Sequence, residues 1–225
     1  PFNLAANNLG AQISYVPTRD RYTGTIHAED IVAQRGTDTA VHSRLDATLD
    51  VGRNTANLLS LTLQSGPSSQ AQKTVIRISG AVNNFAHPDW QFTMKGAVDA
   101  AEVRAIAGLR GLEAGTAQLD LSGHGANSQF LIDGTARLSG AAYRTGTVHI
   151  TNLTADALAH VTQDQITVTN IHARLATGGA VTGDMRIVNW MTPPPSRPSR
   201  PAPPAAAEKG TIRAQISGFS LDSVM

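Results

Sequence analysis

The chain has 225 residues, a formal net charge of +1, 16% charged residues and 4% aromatic residues. That length admits one large or two ordinary domains. The even charge gives no electrostatic case for nucleic acid, since basic residues gather only at Arg19 and Arg21 and at Arg197 and Arg200. The lack of cysteine excludes disulfide frameworks and thiolate metal sites.

No window approaches the ~18–20 apolar residues of a membrane span, and no signal peptide is recognisable. The chain begins at Pro1 and stops at Met225 inside a segment that has just started, so both ends read as cut from a longer parent. Residues 1–40 are expected to hold strands of a preceding repeat. Within them, Glu29-Asp30 ahead of Ile31-Val32 is expected to guard a strand edge.

From residue 41 to residue 192 the dominant signal is period two. Leu45-Asp46-Ala47-Thr48-Leu49-Asp50-Val51 alternates strictly, which puts apolar side chains on one face of a strand and carboxylates on the other. Leu59, Leu61 and Leu63 repeat the pattern, as do Ile76 and Ile78, Leu119 and Leu121, Phe130, Ile132 and Leu138, and Ile166 and Val168. These residues form the candidate apolar face. Turns are expected at Gly52–Asn54, Ser65–Pro67, Gly80, Asn83-Asn84, Gly123–Asn127, Ser139-Gly140, Thr162–Asp164 and Thr177–Gly179. About fourteen strands of about 6–12 residues are expected, in an antiparallel meander with one wet face.

One segment breaks the alternation. Asp99–Ala107 (DAAEVRAIA) is expected to be a short helix, with Asp99 as N-cap, Glu102 at the capping-box spacing and Gly108 as the stop. Further on, Pro193–Pro204 (PPPSRPSRPAPP) cannot be a central strand. Residues 193–208 are read as a polyproline-like linker or loop, with an SH3-type ligand as the lesser alternative. Residues 209–225 resume as a strand followed by the start of a helix, with Ser220 as its cap.

The plan of Trp90–Asp99 plus helix recurs at Gly210–Met225, about 120 residues later, as a solenoid-like repeat would require. The blocks Val75–Gly80 (VIRISG), Ala86-His87-Pro88, Trp90–Gly96, Val98–Gly108 (VDAAEVRAIAG) and Leu109–Gly115 (LRGLEAG) carry a family resemblance. So do Gln118–Gly123 (QLDLSG), Gly134–Gly140 (GTARLSG), Val168–Gly178 (VTNIHARLATG) and Gly179–Asp184 (GAVTGD). In their joint order they resemble the repeat of AsmA-like and TamB-like (translocation and assembly module) proteins. The resemblance covers roughly residues 40–190 and the final strand.

The resemblance implies a mostly β fold: an elongated, curled antiparallel sheet, a taco-like β-groove, with one or two short helices. It implies a periplasmic location, anchored to the inner membrane in the full-length protein. It further implies a role in phospholipid transport to the outer membrane, or in its assembly. The partners it implies are phospholipid acyl chains, the inner and outer membranes, and an outer-membrane assembly-factor barrel. It implies no cofactor and no enzymatic activity.

The residues by themselves allow three covers for the apolar face: a second sheet, the sheet's own curl, or a ligand. They offer no catalytic constellation. The histidines, His27, His42, His87, His124, His149, His160 and His172, are scattered, and none stands at a helical i,i+4 spacing from another ligand. Asp46 and Asp50 share a face but lie ~13 Å apart along an extended strand, beyond glycosidase carboxylate spacing. Gly123–Ser128 lacks the third glycine and the following helix of a dinucleotide loop. A structural or adhesive secreted β-repeat protein is the competing reading.

Overall fold

The structure is a computed structural model that describes residues 2–66, 73–109, 111–127, 129–176, 178–191 and 209–218. The strands are β1 (Phe2–Val16), β2 (Arg21–Arg35), β3 (Val41–Val51), β4 (Thr55–Ser65), β5 (Val75–Asn83) and β6 (Asp89–Asp99). After helix α1 (Ala100–Ala107) come β7 (Leu112–Ala126), β8 (Gln129–Thr145), β9 (Val148–Thr162), β10 (Gln165–Arg174), β11 (Ala180–Val188) and β12 (Lys209–Ser217). All twelve strands form one antiparallel sheet in chain order. β1 and β12 are its two edges, so the sheet curls but does not close into a barrel.

Strands β1 and β2 of the first forty residues belong to this same sheet, since β1 pairs with β2 and β2 with β3. Glu29 and Asp30 therefore lie inside the second strand and guard no edge. Successive hairpins turn through residues that accept the left-handed region: Asn84 at φ 55°, Asn127 at 51° and Gly146 at 54°. Asparagine tolerates that region because its short polar side chain bonds the local backbone.

The strands are fewer and longer than the alternation suggests, with twelve among the described residues and up to 17 residues in β8. The reason is that two expected turns, at Gly80 and at Ser139-Gly140, are not turns, and that the expected Gly123–Asn127 turn is confined to its last position. Gly80 lies mid-strand in β5, and Gly123 and Gly125 lie inside β7. Ser139-Gly140 is an irregularity within β8, where the register to β9 slips between Leu138 and Ala141. Comparable slips occur beside Asn170 in β10 and at Leu59-Ser60 in β4. Asn8, Asn152 and Asn170 each take φ 51° at such interruptions. A bulge bends its strand and raises the local twist, which is how a wide sheet acquires curvature.

Helix α1 forms where expected. Asp99 accepts from the N–H groups of Ala101 (2.9 Å) and Glu102 (3.3 Å), and Gly108 closes the other end at φ 72°. The expected capping box is only half built. The Asp99 N–H donates to Thr74 Oγ1 (2.9 Å), while the Glu102 carboxylate takes the Ser65 hydroxyl, 2.6 Å from each oxygen. The Arg35 guanidinium donates to the Ala107 carbonyl. α1 thus leans across one rim of the sheet and touches β2, β3, β6 and β7. The proline tract and the second helix start, including Ser220, lie outside the described residues.

Candidate functional site

Directly paired residues of an antiparallel ladder project to the same face, so the register can be followed strand by strand. Leu45, Leu49 and Val51 share a face with Leu61 and Leu63, and these with Ile76 and Ile78. The row continues through Met94 to Leu119 and Leu121, then past Gly134 and Ala136 to Phe130, Ile132 and Leu138. It ends through Val161 and Ala159 at Ile166 and Val168. Fourteen of the fifteen residues picked out by alternation therefore stand on one face.

Leu59 is the exception. It sits in the β4 irregularity, Leu58 pairs with Leu49 in its place, and Leu59 is 55% exposed. The extra residue shifts the parity, so odd numbers serve one half of β4 and even numbers the other.

The same face holds residues outside those fifteen. Trp90, Phe92, Met94 and Val98 line β6, although Trp90-Gln91-Phe92-Thr93-Met94 alternates as plainly as the other runs. On β1 and β2 it continues as Leu4, Leu9, Ile13, Ile26 and Ile31, and on β11 and β12 as Met185, Ile187, Ile212 and Ile216. The apolar face therefore spans all twelve strands.

This face is shielded but not covered. Among the described residues the buried apolar side chains are few and mostly small: Ala28, Val41, Ala47, Ala100, Ala141 and Leu175. Most large apolar residues of the central strands are half-buried, whereas their polar neighbours in β6 to β9 are exposed. Side chains that screen one another without an opposing layer lie on the inner, concave side of a curled sheet. At the two edges, where there is a neighbour on one side only, exposure rises to 71% at Ile13 and 72% at Ile212.

The inner face also changes depth along its length. Trp90 and Phe92 stack with centroids 5.9 Å apart, and they lie over glycines of the next strand. A Cβ on Gly125 or on Gly123 would stand 2.5 Å from the Trp90 or Phe92 ring. In the middle of β8 and β9 the lining turns small, with Gly134, Ala136, Ala155, Ala157 and Ala159.

The outer face is polar, and its histidines are not scattered in space. His27, His160 and His172 each sit directly opposite a carboxylate: Asp46 at 2.6 Å, Asp133 at 2.7 Å and Asp156 at 3.3 Å. His42 meets Asp30 at 2.7 Å, and that bond together with the one from Asn7 holds the Asp30 carboxyl below its ordinary value. Arg21 pairs with Asp50 at 2.5 Å and Lys95 with Asp120 at 3.0 Å. Apart from the part-buried Arg21–Asp50 pair, these are exposed cross-strand rungs, each a small contribution to strand pairing. They also account for the acidic half of the β3 alternation, since Asp46 and Asp50 each have a basic partner.

The fold and this face define an open, curled antiparallel β-trough with an apolar inside and an ion-paired outside. No family model matches the chain, and neither does any curated protein or solved structure.

Proposed function

We propose that the chain is a lipid-carrying segment of an envelope protein, non-catalytic, whose inner face holds phospholipid acyl chains and lets them slide along it. The observation that carries this reading is the apolar row running unbroken over all twelve strands, with no second sheet opposite it among the described residues. Eleven strand spacings of ~4.8 Å make that row ~53 Å long. Each CH₂ of a chain lying in it leaves water at a gain of about 0.8 kcal/mol. An inner face without ionised side chains along its centre offers nothing that would pin a moving chain.

The resemblance to AsmA-like and TamB-like repeats supports a periplasmic setting, an inner-membrane anchor elsewhere in the parent protein, and a task in lipid delivery to the outer membrane or in its assembly. An outer-membrane assembly-factor barrel is the protein partner that this reading suggests.

The test is photocrosslinking from inner-face positions in cells that make the parent protein, together with native mass spectrometry of the purified chain. Leu61 and Ile132 are expected to crosslink to phospholipid, and Leu61→Asp or Ile132→Asp to abolish lipid passage while the sheet still folds. A chain that carries no lipid, and yields no lipid crosslink at either position, would sink the proposal in favour of a structural or adhesive role.

A further inference from the structure

In a meander, alternate hairpins lie along opposite rims. The rim away from α1 carries the β1–β2, β3–β4, β5–β6, β7–β8 and β9–β10 hairpins and the end of β11. The chain has ten aromatic residues, and they are not spread evenly between the two rims. Tyr15 and Tyr22 face each other at the first hairpin, ring centroids 5.0 Å apart. Phe85 stands in the β5–β6 turn, with Trp90 and Phe92 on the strand that leaves it. Phe130 follows the β7–β8 turn, and Trp190 follows β11, where its Nε1 donates to the Thr162 carbonyl at 2.9 Å. Seven of the ten therefore lie on this rim. Phe2 and Tyr143 lie toward the opposite rim, and Phe219 is outside the described residues.

We propose that this aromatic rim is a membrane-contact edge that lies in the interfacial layer of a lipid bilayer. Three observations point to a lipid surface as the occupant. First, three of the seven rings are open to contact, with Tyr15, Tyr22 and Phe85 48%, 53% and 45% exposed, the other four are half-buried, and Met191 beside Trp190 is 52% exposed. Second, they form a line. From β1 to β11 they cover ten strand spacings, ~48 Å, whereas the anchors of a protein interface gather at the centre of a compact patch. Third, tyrosine and tryptophan, with an apolar ring and a polar tip, are the side chains that settle at the headgroup level.

The charge on the rim is mixed. Arg19 and Arg53 are exposed at hairpin tips without an ion-pair partner among the described residues, while Asp20, Asp89 and Asp164 sit on the same rim. Attachment is therefore driven by the rings and needs no anionic lipid. The contact stands whatever the trough holds. Its consequence, that acyl chains cross this rim between bilayer and trough, rests on the proposed function.

The experiment mixes the full chain with zwitterionic phosphatidylcholine vesicles and reads flotation and tryptophan emission. Trp90 and Trp190, the two tryptophans of the chain, both report from this rim. The expected result is co-flotation with a blue shift, little changed when salt rises from about 0.1 M to about 0.5 M. The double variant Tyr22→Ser/Phe85→Ser is expected to bind about tenfold more weakly or worse. Leu158→Ser, at an exposed site on the outer face, is expected to bind as the parent chain does. Absence of flotation overturns the proposal, and so does a double variant that binds normally or a Leu158→Ser chain that is weakened as much. Ile132→Asp separates the two readings, because it should remove lipid held in the trough and leave vesicle flotation intact.

Discussion

Ser65 ties three elements together, and its removal has a calculable cost. It is 2% exposed at the end of β4. Its hydroxyl donates to Glu102 of α1 at 2.6 Å and accepts the Thr74 N–H at 3.0 Å. Ser65→Ala deletes a bond to a charged acceptor, worth about 1.5–3 kcal/mol, and strands a donor whose desolvation costs about 1–3 kcal/mol. With partial relaxation the expected loss is about 3 kcal/mol. Urea unfolding followed by circular dichroism measures it, and hydrogen exchange of the α1 amides locates it. A double-mutant cycle with Glu102→Ala isolates the shared part, expected at about 1–2 kcal/mol. A coupling indistinguishable from zero, or unchanged protection in α1, would refute the idea that this hydroxyl holds the helix to the sheet.

Other perturbations probe other parts of the sheet. A Cβ on Gly134 would collide with the Asp120 carbonyl oxygen and stand 2.6 Å from a Leu121 methyl carbon, so Gly134→Val is expected to destabilise by about 1–3 kcal/mol in the same urea assay. Asn170 holds φ 51°, so Asn170→Val should cost about 1–2 kcal/mol while Asn170→Gly stays near neutral, as thermal melts will show. Asp30 has its carboxyl held low by the His42 and Asn7 bonds, with an ordinary value of 3.8. A lowered folded-state value means that its contribution is present above the unfolded value and fades as pH falls through the folded one. Asp30→Asn should therefore flatten the acid limb of a stability–pH profile below about pH 4, and an unaltered limb would count against the pairing.

The sequence by itself determined what depends on near neighbours. Alternation such as Leu45–Val51 sets the inward side chains, because successive residues of a strand must point to opposite faces. Asp99 and Gly108 end α1 through local backbone chemistry, so both ends were legible. What depends on the partner strand was not. Gly80, Gly123 and Ser139-Gly140 read as turns, because a glycine's role is fixed by what packs across from it. Phe92 covers Gly123, and β9 continues past the β8 irregularity. Leu59 read as an inward residue, since nothing local reveals that the next strand skips a position there. Five histidines, His27, His42, His149, His160 and His172, looked scattered because each has a carboxylate partner between 12 and 36 positions away along the chain. The aromatic rim likewise exists only once the hairpins alternate between two sides. Tertiary structure decided these features because register, unlike periodicity, belongs to pairs of strands.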